Sequence, residues 1–159
     1  MELKIGDNAP ELGIPACGGG FADGQVVKLS DFAGKNLVVY FYPKDNTPGC
    51  TNEAIDFESL SADFAASNTV IVGISKDSIK SHKNFAEKFA LKFTLASDEE
   101  AKICMAYGIW KEKSNYGKKY MGIERSTFLI DSQGKIAKIW AKVKVEDHAK
   151  QVLEAAKNL

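Results

Sequence analysis

Cysteine is scarce in this chain. Cys17, Cys50 and Cys104 are the only three in 159 residues. That is too few for a disulfide scaffold, and the number is odd. No C-x-x-C pair occurs, and His82 and His148 do not bring the cysteines to zinc-finger spacing. No cofactor or metal set is expected. An excess of one charge is also missing, since 21 Lys+Arg balance 21 Asp+Glu. Such a chain lacks the basic face that sequence-independent nucleic-acid binding or an anionic membrane would require. No apolar run approaches the roughly 18 residues of a membrane helix. The start, Met1-Glu2-Leu3-Lys4-Ile5-Gly6-Asp7, holds no apolar stretch of signal-peptide length. The expectation is a soluble, cytoplasmic chain with no nucleic-acid or membrane partner. Repeats, low-complexity tracts and a second composition regime are absent as well, so one domain is expected over residues 1–159. Hydrophobic residues at 45% and charged residues at 26% exclude a disordered or collagen-like chain.

What is present reads as alternating strands and helices. The first 36 residues are turn-rich, with Pro10, Pro15, Gly18-Gly19-Gly20 and Asp23-Gly24, and predict a small hairpin or extended lead-in. Leu37-Val38-Val39-Tyr40-Phe41-Tyr42 is almost purely apolar, the pattern of a strand buried on both faces. A helix is predicted from Pro48, with Ala54, Phe57, Leu60, Ser61 and Phe64 at helical spacing. Thr69 to Ile74 predicts a second buried strand, and Ile79 to Ala90 a helix. Asp98 to Tyr107 predicts a shorter helix with Asp98 as its cap and Gly108 as its stop. The basic stretch Lys111 to Lys119 reads as a solvated loop. Ser126–Ile130 and Lys135–Trp140 predict a hairpin, and Val145, Ala149, Val152, Leu153 and Ala156 mark a closing helix. The sum is an α/β sandwich with a central mixed sheet flanked by helices, in thioredoxin-like order.

Chemistry concentrates where the first buried strand gives way to a helix. In Tyr42-Pro43-Lys44-Asp45-Asn46-Thr47-Pro48-Gly49-Cys50, Thr47 is a good N-cap and Pro48 suits the first helical position. Cys50 then falls at the third. There the unsatisfied N–H groups and the positive end of the helix dipole favour a thiolate. His82 and His148 read as surface or satisfied packing residues, because nothing pairs them with Cys50. Trp110 and Trp140 read as core or rim.

Pro43-x-x-x-Thr47-x-x-Cys50 matches the P-x-x-x-T/S-x-x-C motif of peroxiredoxins. The string Phe41 to Thr51 resembles the bacterioferritin comigratory protein, or peroxiredoxin Q, subfamily. So do Gly122 to Asp131 and the Trp140-Ala141-Lys142-Val143-Lys144 neighbourhood, and the resemblance covers nearly the whole chain. It implies a thiol peroxidase acting on hydroperoxides. In it Cys50 is the peroxidatic cysteine and Thr47 carries the hydroxyl that contacts thiolate and peroxide. Pro43 shields the pocket, and Arg125, in a strand, supplies the guanidinium that holds developing charge. Glu53, one turn after Cys50, either orients Arg125 or faces solvent. The resemblance further implies an external thiol reductant (thioredoxin, glutaredoxin or glutathione) and a monomer.

The sequence departs from the subfamily in one respect. The two usual resolving positions hold Ile55 and Ala86. Cys104 reads as a buried thiol. Cys17 lies in a Gly-rich stretch read as a mobile loop. A one-cysteine cycle is therefore expected, with Cys17 or Cys104 as atypical resolver the alternative. A disulfide reductase would lack its second thiol. A redox sensor or holdase-like module is the non-enzymatic alternative.

Overall fold

The computed structural model describes residues 2–159. Its centre is β3 (Asn36–Phe41), whose six residues are all buried. On one side β3 pairs in parallel with β4 (Thr69–Ser75), and β4 pairs in parallel with β5 (Thr94–Ser97). On the other side it pairs antiparallel with β8 (Ser126–Ile130), which pairs with β9 (Ile136–Trp140). The lead-in forms the expected hairpin, β1 (Ile14–Gly18) and β2 (Phe21–Val27), and β1 adds antiparallel to β5. The seven strands run in the order β2-β1-β5-β4-β3-β8-β9. This is the mixed, thioredoxin-like sheet that the element order predicts.

The strands bury both faces because helices cover one and loops and short elements the other. Val38, Tyr40, Ile71 and Leu129 point to a layer formed by α1 (Pro48–Ser59), α2 (Ser61–Ala66), α3 (Ile79–Phe89) and α5 (His148–Lys157). Val39, Phe41, Val72 and Phe128 point to the opposite layer, with α4 (Lys102–Ala106) and Tyr107. Tyr40 fills the helix-side layer by stacking on Phe57 of α1, ring centroids 4.6 Å apart. Gly73 on β4 makes room for it, since a Cβ there would stand 2.8 Å from the Tyr40 ring. Full burial of an aromatic side chain contributes roughly 1.5–3 kcal/mol, so Tyr40 and Phe57 hold α1 firmly on the sheet.

Four expectations need correction. The stretch Lys111 to Lys119 is not an irregular loop. It is most of a two-stranded sheet, β6 (Trp110–Asn115) and β7 (Lys118–Ile123), turned by Tyr116 and Gly117 at φ of +53° and +77°. Positive φ at both turn residues is what a two-residue hairpin needs. The helix predicted from Asp98 begins only at Lys102, because Ala101 is left-handed at φ +60°. Asp98 still caps it from a distance, its carboxylate accepting the Cys104 N–H at 2.8 Å. Cys17 is not in a mobile loop: it is buried in β1, opposite Leu95 of β5. The glycines after it form the tight turn to β2, at φ of +76°, +61° and +95°. Finally, the closing helix starts at His148, leaving Val145 outside it.

His82 and His148 are both satisfied packing residues. His148 Nε2 lies 2.8 Å from Thr127 Oγ1 of β8, and its ring meets Phe57 and Trp140 edge-on. Burial, helped by the charge of Arg125, pushes its pKa down from 6.5 to about 4. Between those values the folded state binds fewer protons than the unfolded state. Stability therefore falls as pH drops from 6.5 towards 4. One such group contributes a slope of up to about 1.4 kcal/mol per pH unit. Urea midpoints measured between these pH values should fall more steeply for the wild type than for His148→Gln. Parallel profiles would show that His148 binds protons alike in the folded and unfolded states, against the lowered value.

Candidate active site

β3 leaves the sheet at Phe41, and Tyr42 still donates its N–H to Ile74 of β4. The chain then turns through Pro43 to Thr47 and enters α1 at Pro48. The turn is tied down by Asp45. Its carboxylate accepts from Tyr42 Oη at 2.5 Å and from Ser81 Oγ at 2.8 Å, and it pairs with His82 Nδ1 at 2.8 Å. His82 Nε2 faces the Ala96 carbonyl at 2.9 Å, which can only accept, so this nitrogen donates. The Asp45 N–H donates to Asp77 Oδ2 at 2.8 Å. Ligand atoms of Asp45, Asp77 and His82 lie within 4.8 Å of one another. They are engaged in these hydrogen bonds, and the cluster is a buried polar tie between the turn, β4, β5 and α3.

Sequence reasoning puts Thr47 at the N-cap, and it is there, at φ −100° and ψ 154°. Its hydroxyl does not cap the helix. It donates to the Lys44 carbonyl at 2.8 Å, which leaves the oxygen able to accept from another donor. Pro48 opens the helix, and Cys50 is the third helical residue, 2% exposed. The first N–H groups of α1 therefore have no side-chain cap from Thr47. Pro43 is exposed on the turn and Thr47 half-buried.

Arg125 is not within a strand, as expected, but in the link between β7 and β8. Its carbonyl accepts the Val143 N–H at 2.9 Å, which connects the Trp140–Lys144 neighbourhood to the site. The guanidinium reaches across to α1 and bridges two groups. Nη2 donates to Cys50 Sγ at 3.3 Å, and Nη1 donates to Glu53 Oε1 at 2.6 Å. Of the two readings of Glu53, orientation of Arg125 is the one observed. Glu53 is 1% exposed and faces no solvent. Burial outweighs the attraction of Arg125 and pushes its pKa up to about 7. Gly49 has a packing role that the sequence did not reveal: a Cβ there would stand 3.3 Å from Arg125 Nη2.

The other two cysteines lie elsewhere. Cys104 belongs to the apolar layer on the far side of the sheet from Cys50. Cys17 shares the layer of Cys50 but is locked in β1. Burial raises both thiol pKa values, that of Cys17 to about 11. Ile55 is 42% exposed on α1 and is part of neither apolar layer.

Residues 5–139 match the model of the AhpC/TSA family. The chain is 49% identical over 159 residues to peroxiredoxin Bcp of Bacillus subtilis, covering 100% of this chain and 98% of that protein. Peroxiredoxin Bcp of Escherichia coli is 42% identical, with 95% and 94% covered. The crystal structure of a Xylella fastidiosa PrxQ mutant superposes with a TM-score of 0.89 at 40% identity, over 99% of this chain and 98% of that one. A structure of the Xanthomonas campestris bacterioferritin comigratory protein, studied for alkyl peroxide reduction, gives 0.81 at 47% identity over 85% and 86%. No helix of the described residues is long and apolar enough to cross a membrane. With a cysteine at a helix start under an arginine, and relatives of this closeness along its whole length, the chain belongs to the AhpC/TSA family as a peroxiredoxin of the Bcp/PrxQ type, a thiol peroxidase.

Proposed function

We propose that this peroxidase reduces hydrogen peroxide and organic hydroperoxides by a one-cysteine cycle at Cys50, and that an external thiol such as thioredoxin, glutaredoxin or glutathione restores the enzyme. The observation that carries the reading is the 3.3 Å contact from Arg125 Nη2 to Cys50 Sγ at the start of α1. The thiolate attacks the terminal peroxide oxygen. An S–O bond forms as the O–O bond breaks, and sulfur becomes the sulfenic acid. The second oxygen departs with negative charge. Arg125 and the Cys50 N–H are suited to hold it, as charged and preorganised donors. Thr47, having given its own hydrogen to Lys44, accepts from the peroxide O–H. Pro43 closes the rim of the turn against water. Both substrate classes carry the O–OH group that these residues engage, and alkyl peroxide reduction by the Xanthomonas relative supports the organic class.

The one-cysteine cycle is supported by where the remaining thiols sit. A disulfide needs Cα atoms within about 7 Å. Cys104 lies in the layer across the sheet from Cys50, and Cys17 is held in β1 by its pairing with β5.

In single-turnover stopped flow, Cys50→Ser should abolish peroxide reduction, while Cys17→Ser and Cys104→Ser leave it intact. Arg125→Met should slow it on the order of 10²–10³-fold, the usual cost of losing one transition-state donor. A Cys50→Ser variant as fast as the wild type would end this reading. For the cycle, one equivalent of peroxide followed by dimedone should give an adduct at Cys50. A mass lower by two hydrogens, with peptides linking Cys50 to Cys17 or Cys104, would replace the one-cysteine cycle by an atypical two-cysteine one.

A further inference from the structure

Two buried side-chain oxygens have no hydrogen-bond partner among the described residues, Glu53 Oε2 and Tyr40 Oη. Glu53 is thus satisfied on one oxygen only, by Arg125 Nη1. As a carboxylate it would leave half of its charge in an apolar layer without a donor. A buried acid in that position gains by staying neutral unless a cation answers it fully. Arg125 does not, because its other terminal nitrogen is given to Cys50. One guanidinium faces two acids, a thiol and a carboxyl, and the pocket balances its charge when only one of them is ionised.

We propose that Glu53 is the proton reservoir of peroxide reduction: it is neutral while Cys50 is a thiolate and becomes the carboxylate when oxidation removes the thiolate charge. The step balances. Cys50 thiolate, Glu53 carboxylic acid and ROOH give Cys50 sulfenic acid, Glu53 carboxylate and ROH. The S–O bond forms, the O–O bond breaks, and sulfur loses two electrons to the peroxide. The departing alkoxide is protonated at the net expense of Glu53, and Arg125 stays charged throughout. The pocket's total charge does not change, which suits a site where Cys50 and Glu53 are 2% and 1% exposed. Glu53 touches Arg125 rather than the reacting atoms, so it acts as a positioning and charge-compensating residue.

The groups around the Glu53–Arg125 pair leave Glu53 the titration near neutral pH. Burial holds Tyr40 of β3 well above its ordinary value, and the charge of Glu53 adds to the rise. Arg125 is held protonated by Glu53 and Cys50 despite burial. His148 of α5 is lowered to about 4. Lys113 of β6 is lowered by burial and by the charge of Arg125. Asp56, on the same helix, reinforces the rise at Glu53, whose own value is about 7.

The proposal rests on Cys50 as the peroxidatic thiol, and its test separates the two ideas. Reduced full-length protein is mixed with one equivalent of peroxide in weakly buffered indicator dye, and sulfenate is counted with dimedone in the same sample. With a thiolate and no reservoir, one proton is taken up per Cys50 converted to neutral sulfenic acid, and fewer where the sulfenic acid itself ionises. Glu53→Gln, which keeps an acceptor for Arg125, gives that baseline at each pH. Wild type should take up clearly fewer protons than Glu53→Gln near pH 7 and match it by pH 9, where Glu53 is ionised in both states. Identical profiles for the two proteins would overturn the proposal. Absence of sulfenate at Cys50 would instead overturn the reading beneath it. Should Glu53→Gln not fold, the infrared difference spectrum of wild type decides. The proposal requires a protonated-carboxyl band to be lost on oxidation at pH 7, and an unchanged carboxyl region contradicts it.

Discussion

The guanidinium of Arg125, shared between Cys50 and Glu53, is the contact on which the site depends. At 3.3 Å and 2.6 Å it fixes two side chains of α1, one turn apart, against a residue that lies 72 positions beyond Glu53. A charged group half-buried in this way is costly unless its geometry is well satisfied. The fold supplies that geometry from three directions. α1 is pressed onto the sheet by Phe57 against Tyr40. The link before β8 is held by the Arg125 carbonyl on Val143. The turn before α1 is pinned by Asp45.

The same constraint accounts for residues with no reactive part. Gly49 lacks a side chain where Nη2 passes, and Gly73 lacks one where Tyr40 lies. Asp45 and His82 carry no reacting atom, yet they join the turn to α3, β4 and β5, so the loop between β3 and α1 is not free to drift. Thr47 shows how one hydroxyl serves the arrangement. Given up as a helix cap, it is oriented by Lys44 and left able to accept.

Much of this was legible in the chain itself. The apolar runs of β3 and β4 announced the central strands, and the stretch from Pro43 to Cys50 marked the strand–helix turn where Arg125 meets Cys50. What escaped had physical causes. β5 is short, and two of its four residues are Thr94 and Ser97, polar groups buried because Gly18 and Asp77 carbonyls accept their hydroxyl hydrogens. β6 and β7 expose most of their lysines, so no alternation of apolar residues marks them as strands. Cys17 looked mobile because glycines follow it, but those glycines serve positive φ in a tight turn. Glu53 was ambiguous because a carboxyl on the first turns of a helix usually faces water. Only the approach of Arg125, distant in sequence, decides its burial.

The central claim is that the position of Arg125 over Cys50 sets the rate of peroxide reduction. Gly49→Ala tests it most directly, because the added methyl stands 3.3 Å from Nη2, the nitrogen that donates to Cys50 Sγ. Alanine is favoured over glycine in a helix by up to about 1 kcal/mol, so stability should hold or rise slightly. Displacing the donor by a few tenths of an ångström should slow single-turnover reduction about tenfold or more. A stable Gly49→Ala protein that reduces peroxide at the wild-type rate would contradict the account.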